Sequence, residues 1–296
     1  MGGVRCSAPA KVNLALHVTG QRGDGYHTLD TLAAFCALSD VVTVNATHAQ
    51  SDELHLTGPL CQGLPSGTDN LALRAATALR ESHPGRAFAP VAISVQKNIP
   101  AGAGLGGGSA DAAAVLLALK MLWGIGDEID LLSVAAKLGA DVPMCLVSSP
   151  LRASGIGESI SRVKLTRDWP AVLVFPGPGL ATANVFAALA SRNNSEIKAA
   201  GALSLDTLTR MRNDLETPAK TLCPDITTVM DRLNETEGAR LVRMSGSGSA
   251  CYALFEDGFK AAKAAEAIRQ ERPHWWCMAT RIMAAGQQDR AEPIGD

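Results

Sequence analysis

The chain has 296 residues, 47% of them apolar and 19% charged, with a formal net charge of −2. That length and composition can bury one large core or two smaller ones, and they exclude a disordered or fibrous protein. The near-neutral charge excludes a general nucleic-acid or membrane-surface binder. The longest apolar run in a helical pattern, Ala112–Leu119, falls far short of the roughly 20 residues that a membrane span needs.

In chain order, Val12, Leu14, Leu16 and Val18 alternate with Asn13, Ala15 and His17, which is strand spacing. Val41–Val44 and Leu54–Thr57 are further strand candidates, Asn70–Arg80 a helix, and Val91–Val95 a strand. A glycine-rich segment, Pro100–Ser109, then leads into an apolar helix from about Asp111 to Leu122. A second helix, about Glu128–Leu138, ends at Gly139. Residues 149–170 are polar and turn-rich, which places a boundary near 160 and divides the chain into 1–160 and 161–296. Ala171–Phe175 reads as a strand stopped by Pro176-Gly-Pro-Gly179, and helices follow around 184–190, 214–222 and 225–235. The pattern closes as strand Ala239–Met244, strand Ala250–Phe255, helix Gly258–Gln270 and strand Trp275–Ile282. The short polar tail beyond Ile282 is expected to be mobile. Mixed helices and largely antiparallel strands predict an α+β protein of two lobes.

The strongest local signal is Pro100-Ala-Gly-Ala-Gly-Leu-Gly-Gly-Gly-Ser109, with five glycines in the seven positions 102–108. It follows a strand and opens a helix. Glycines bring backbone N–H groups close to a ligand, and a helix start adds free N–H groups and the positive dipole end. Together they form a phosphate cradle, for which the plainer alternative is a flexible surface loop. Ser109 reads as the helix N-cap. GxxxxGK[ST] is absent. Gly102, Gly104 and Gly107 satisfy GxGxxG, but Lys97–Ala101 separates them from the strand, and another helix follows rather than a parallel strand.

Two further segments accompany the loop: Ala8-Pro-Ala-Lys-Val-Asn-Leu-Ala-Leu16, and Met244-Ser-Gly-Ser-Gly-Ser-Ala-Cys-Tyr-Ala-Leu254. In order and spacing, the three resemble the sequence motifs of the GHMP small-molecule kinases, such as galactokinase, homoserine kinase and mevalonate kinase. Thr19–Leu29, Thr68–Leu71, Leu138–Pro143 and Ala153–Glu158 are similar to the branch that acts on a cytidine-diphosphate-linked branched tetritol. The resemblance runs from Ala8 to about Phe255. It implies the two-lobed GHMP kinase fold, with the active-site cleft between an N-terminal nucleotide-binding lobe and a C-terminal α/β lobe. It also implies ATP-dependent phosphorylation of the tertiary 2-hydroxyl of that substrate, in the non-mevalonate isoprenoid pathway.

The same resemblance assigns residues. Lys11 matches the family's active-site lysine, which would stabilise charge on the moving phosphoryl group; from residue type alone it reads as a solvent-facing lysine. Asp141, in Gly139-Ala-Asp-Val-Pro143, matches the candidate general base and equally reads as a helix cap, and the two roles are compatible. It would orient the hydroxyl or take its proton. Asn13 shares a strand face with Lys11 and joins the substrate contacts. Tyr26 would stack on the cytosine and His27 would bond its edge, while Phe186 matches a second stacking ring and Thr182 a substrate-contacting threonine. Ala183 stands where the family commonly has proline or serine. Asn70, Lys97 and the loop residues Pro100, Ala101, Gly102, Ala103, Gly104, Leu105, Gly106, Gly107, Gly108, Ser109 and Ala110 would surround ATP; Asn70 equally reads as a helix cap. Ser245–Ser249 would close over the cleft or pack the lobes together.

Mg²⁺ is expected with ATP, but no carboxylate pair marks its ligands. Ser109 and Asp111 are candidates, the latter equally a dipole partner of its helix. The seven cysteines, with no CxxC pair, indicate neither a disulfide framework nor zinc, and are read as reduced, buried thiols of a cytoplasmic protein. No secretory signal is visible in Met1–Ala10. The expected partner is the small-molecule substrate, with neither nucleic acid nor membrane. Three alternatives stand: a kinase for another alcohol such as homoserine or mevalonate, a catalytically inactive sensor, and a nicotinamide-dependent dehydrogenase.

Overall fold

A computed structural model describes residues 2–198, 201–286 and 290–294. The elements are β1 (Gly3–Gln21), β2 (His27–Ala46), β3 (Glu53–Thr57), α1 (Leu71–Glu81), β4 (Val91–Gln96), α2 (Gly107–Leu122), α3 (Leu131–Leu138) and α4 (Val142–Val147). They continue as β5 (Leu151–Gly155), β6 (Ser159–Arg162), β7 (Trp169–Phe175), α5 (Thr182–Ala187), α6 (Leu205–Thr209), α7 (Glu216–Leu222) and α8 (Asp225–Asn234). The last are β8 (Ala239–Met244), β9 (Cys251–Phe255), α9 (Gly258–Glu271), β10 (Trp276–Ile282) and β11 (Ala291–Ile294). No helix of the described residues is long and apolar enough to cross a membrane.

The strand path runs β11-β1-β2-β10-β7-β9-β8. Two sheets meet on β2, where Ile282 of β10 pairs with Cys36. On the N-terminal side, β2 pairs antiparallel with β1, β4 and β5. The β3–β4 pair is parallel. On the other side, β10, β7, β9 and β8 pair antiparallel in turn. The architecture is α+β in two lobes, as the pattern of elements predicts.

β1 is long because it is buried on both faces along most of its length, from Ala8 to Val18. Such a strand reads as a nearly continuous apolar run. Three register shifts, at Pro9/Lys11, Asn13/Ala15 and Val18/Gly20, bend it across the molecule. Bulges increase local twist and re-aim side chains, which is how Lys11 and Asn13 leave an apolar strand to face one cleft.

α2 lies across β1 and β2 in the N-terminal core. Ala110, Ala112, Ala113, Ala114 and Ala118 are all fully buried, and Leu116 and Leu119 fill the space between them. Small side chains let the helix approach the sheet closely, and a helix apolar on every face belongs inside. Leu116→Ala would cost about 2–5 kcal/mol, the usual range for such a cavity. A second core joins the two sheets around Leu14, Leu105, Leu173 and Tyr252. A third lies beneath α7, α8 and α9.

Several expectations need correction. α2 begins at Gly107 with Gly106 in the left-handed conformation at its cap, so Ser109 is inside the helix and not its N-cap. The glycines open the turn, and no side chain caps it. α3 begins at Leu131, where the Asp130 carboxylate accepts from Leu132 N. The polar segment 149–170 contains a hairpin, β5–β6, that pairs with β2. The tail is not free. β11 pairs with β1 from Gly3 to Cys6, and the buried Arg290 donates to Cys145 O at 2.9 Å and Leu146 O at 3.2 Å, at the end of α4. The chain passes from α2 to α3 and α4 and then to β5, which pairs with β2 rather than β4. No βαβ unit runs through the glycine loop.

Candidate active site

The glycine loop is stitched into both lobes. Lys11 N donates to Leu105 O at 2.9 Å, and Ala250 N donates to Ala103 O at 2.9 Å. The Ser245 hydroxyl donates to Gly104 O at 2.9 Å and accepts from Asn13 N at 3.3 Å. Two glycines have no substitute in this arrangement. At Gly104, φ is +79° and an added Cβ would lie 2.5 Å from Ser245 O and 2.9 Å from Gly248 O. At Gly106, φ is +68° and a Cβ would press on Cβ and Cε of Lys11, each at 3.3 Å. Gly106 therefore makes room for the lysine as well as turning the chain.

Beside the loop opens a cleft of about 380 Å³. Lys11, Asn13 and Thr31 line it from the sheet, and Gly104, Gly106 and Ser109 from the loop and α2. Asp141 and Met144 form a further wall, facing Thr182, Phe186 and Ser247 of the C-terminal lobe. Lys11 is only 3% exposed and is not the solvent-facing residue its type alone suggests. Its Nζ donates to Asn13 Oδ1 at 2.8 Å and lies 3.0 Å from Asp141 Oδ2. Asp141 sits at the N-terminus of α4, but its side chain makes no capping hydrogen bond. The carboxylate is thus directed at Lys11 and the cleft.

Of the expected substrate contacts, Tyr26 stands at the tip of the β1–β2 hairpin and is 66% exposed. Its backbone is turned by Asp24, whose Oδ1 accepts from Tyr26 N at 3.2 Å. The His27 ring stacks on Phe186, with centroids 4.8 Å apart and planes 28° apart. Its Nε2 is buried without a partner among the described residues. Burial, and then the charge of Arg192, push the His27 pKa below its ordinary value. Thr182 and Ser247 share a hydrogen bond at 3.0 Å that joins α5 to the C-terminal loop.

Of the expected nucleotide set only Gly104, Gly106 and Ser109 line this cleft, and Asn70 and Lys97 have other partners. Asn70 caps α1, its Oδ1 accepting from Ala72 N at 2.9 Å. Lys97 is buried, bonded to Asp40 and, at 2.5 Å, to Asp111. Burial works against its charge, yet Asp111 and Asp40 outweigh it and its pKa lies above the ordinary lysine value. Asp40 also accepts from Ile99 N at 2.9 Å. The cluster lies directly beneath the loop, with Asp40 Oδ2 3.6 Å from where a Gly107 Cβ would stand. Asp111 is therefore enclosed and is not placed to reach a metal in the cleft, whereas Ser109 lines it. Among the described residues no group of three His, Cys, Asp or Glu could hold a metal ion.

Asp40 and Asn213 are site residues that sequence reasoning missed. Asn213 Nδ2 donates to Met244 O at 3.0 Å and Gly246 O at 2.8 Å, shaping the C-terminal loop. The only signal for Asp40 is a charged residue within an apolar strand pattern.

A glycine-rich loop opening a buried helix, an adjoining Lys–Asp pair and a second glycine turn from the C-terminal lobe have the form expected of a small-molecule kinase. The chain belongs to the GHMP kinases: the family model for their N-terminal domain matches residues 70–149, and that for their C-terminal domain matches 185–274. Within the family its relatives are specific. The 4-diphosphocytidyl-2-C-methyl-D-erythritol kinase of Chelativorans sp. (strain BNC1) is 45% identical over 288 residues, covering 95% of this chain and 97% of that one. Its counterpart from Rhizobium leguminosarum bv. trifolii (strain WSM2304) is 46% identical over 291 residues, covering 96% of each. A crystal structure of 4-(cytidine 5'-diphospho)-2C-methyl-D-erythritol kinase superposes with a TM-score of 0.78 at 40% identity, covering 94% of this chain and 99% of that one. Homoserine kinase from Cytophaga hutchinsonii, at 18% identity and a TM-score of 0.72, shares the fold.

Proposed function

We propose that this kinase transfers the γ-phosphoryl group of ATP to the 2-hydroxyl of 4-diphosphocytidyl-2-C-methyl-D-erythritol, giving the 2-phosphate and ADP in the non-mevalonate isoprenoid pathway. The observation that carries the reading is the Lys11–Asp141 pair, 3.0 Å apart in a cleft between the glycine loop and Phe186. The relatives' shared activity agrees with it.

Phosphoryl transfer asks the protein mainly for positioning and charge stabilisation. Free backbone N–H groups of the loop 101–106 and of the first turn of α2 cradle the ATP phosphates. Asn70 and Lys97 fix the walls of that site, one by capping α1 and the other from beneath the loop. Asp141 orients the acceptor hydroxyl and takes its proton, and Lys11 stabilises charge gathering on the transferred group. Mg²⁺, when bound, offsets phosphate charge, and Ser109 is the side chain placed to meet it. Asn13 and Thr182 hold the tetritol and its phosphates.

The cytosine is held by Phe186 and Tyr26, with His27 bonding its edge. A neutral imidazole offers one donor and one acceptor, and the lowered His27 pKa favours that form. The two lobes are proposed as 1–160 and 161–296, with β11 returning to the first. All seven cysteines are free and six are buried. Burial pushes Cys36 and Cys145 up to about 12. Inert thiols of this kind suit a reducing compartment, and the cytoplasm is the proposed location.

The test is ADP release with ATP, Mg²⁺ and each of four acceptors: the cytidyl substrate, the cytidine-free tetritol, homoserine and mevalonate. Phosphorus NMR should show the 2-phosphate with the first alone. Turnover confined to another alcohol would keep the kinase and overturn the base-stacking argument.

A further inference from the structure

Thr31 lies on β2, 2% exposed, and lines the cleft beneath Asn13. Its hydroxyl carries one proton. That proton goes to Ala15 O, 2.7 Å away, at the register shift between Asn13 and Ala15. Towards Asn13, 2.8 Å away, the same oxygen can only accept, so Asn13 must present Nδ2 to it. The carbonyl end, Oδ1, is then left facing Lys11 Nζ at 2.8 Å. Reversing the amide would set Nδ2 against an ammonium, donor against donor. The chain of bonds from Ala15 through Thr31 and Asn13 to Lys11 has one permitted sense, which the Lys11 ammonium imposes at one end and the Thr31 hydroxyl, with its proton committed to Ala15 O, holds at the other.

An ammonium has three N–H donors. Asn13 takes one and Asp141, at 3.0 Å, takes another. We infer that Thr31 is a positioning residue that anchors the far end of the Asn13 amide and thereby aims the remaining N–H of Lys11 into the cleft. The inference rests on the proposed role of Lys11. Buried hydrogen-bond chains act as units, so a hydroxyl one residue removed from the ammonium controls its direction.

Thr31→Val keeps the shape and removes both the donor and the acceptor; Thr31→Ser keeps the hydroxyl. Removing one donor aimed at developing charge costs on the order of 10²–10³ in kcat, and misaiming it costs less. The valine variant should lose about tenfold to hundredfold in kcat with KM for ATP within about twofold, and serine should restore kcat to within about threefold. A double-mutant cycle separates positioning from simple destabilisation. In a Lys11→Met background, Thr31→Val should lower kcat no further. An equal, additive loss in that background would overturn the inference, as would a valine variant with unchanged kcat. If Lys11→Met alone leaves kcat intact, it is the functional reading of Lys11 that fails. Should the valine variant not fold, Thr31→Cys, close in volume and a weak donor, takes its place. Failure of both to fold would assign Thr31 to the scaffold and refute the proposal.

Discussion

Asp141→Asn removes a charge and almost nothing else. The two side chains have the same shape, and the Asp141 carboxylate makes no capping bond that the amide would have to replace. Among the described residues its one charged partner is Lys11 at 3.0 Å. At that distance the bare attraction is about 1.4 kcal/mol in water and about 5 kcal/mol at an effective dielectric of 20. Asp141 is 38% exposed and solvated, so the net contribution falls near the measured value for exposed pairs, up to about 1 kcal/mol. In a chain of this size that lowers Tm by no more than about 4 °C. Lys11 also keeps its bond to Asn13, so it is not stranded. Catalysis should respond very differently, because an amide cannot take the hydroxyl proton. Positioned acid–base groups contribute about 10²–10⁴ in rate, so kcat should fall by at least about a hundredfold. Single-turnover ADP release with saturating ATP and the cytidyl substrate measures it, and a thermal melt accompanies it. A kcat within tenfold of the parent would refute the assignment. A Tm loss of ten degrees or more would show the pair to be structural.

Three further outcomes follow from particular contacts. Gly104→Ala should destabilise the protein and raise KM for ATP by far more than Gly102→Ala. The left-handed backbone costs both about 1–2 kcal/mol, but only at Gly104 would the Cβ strike backbone, 2.5 Å from Ser245 O, whereas at Gly102 the nearest atom is 3.8 Å away; equal effects in urea unfolding and ATP titration would argue against interlocked loops. Phe186→Ala should raise KM for the cytidyl substrate about 5- to 150-fold, the equivalent of stacking worth about 1–3 kcal/mol per base, and leave KM for ATP unchanged; a parallel rise in both would place the ring outside the base site. Asp111 supplies a pH signature: burial, opposed by Lys97, raises its carboxyl from 3.8 to about 7. The folded state then holds a proton that the unfolded chain has released, so this contribution to stability is whole below about pH 4 and is lost as pH rises through about 7. Asp111→Asn should flatten that slope, and urea midpoints at pH 5 and pH 8 would show it; an unchanged slope would assign the titration elsewhere.

The elements most legible in the sequence were those whose apolar period matches their burial. α1, α8 and α9 each bury one face, as Ala72, Ala75, Ala76 and Leu79 do on α1, and such stripes fall within a residue or two of expectation. The first half of β2 was illegible, because Leu32, Ala33, Ala34 and Phe35 are all buried and give no alternation. α4 was illegible because Pro143 resembles a breaker while occupying the first turn, where its missing N–H is harmless. The tail reads as loose because its anchors are distant in sequence: β11 pairs with the first strand, and no local pattern states that Arg290 bonds to the Cys145 carbonyl 145 residues away. In the candidate site, Lys11, Asp141 and the glycine loop are legible as motifs, and the structure brings them to one cleft. Thr31, Asp40 and Asn213 act through long-range bonds to backbone or to other side chains, and a single sequence carries no trace of such partners.

The pairing of β1 with β11, and of β2 with β10, has a consequence for synthesis. The first strands of the chain find neighbours among the last, and contacts of such wide sequence separation form late and slowly. Lys11, the glycine loop and Asp141 are all translated within the first half. The residues that lock the loop in place, Ser245 and Ala250, come from the final fifth. A nascent chain therefore carries Lys11 and Asp141 well before the residues that fix the loop beside them, and the cleft can be completed only when translation is nearly over.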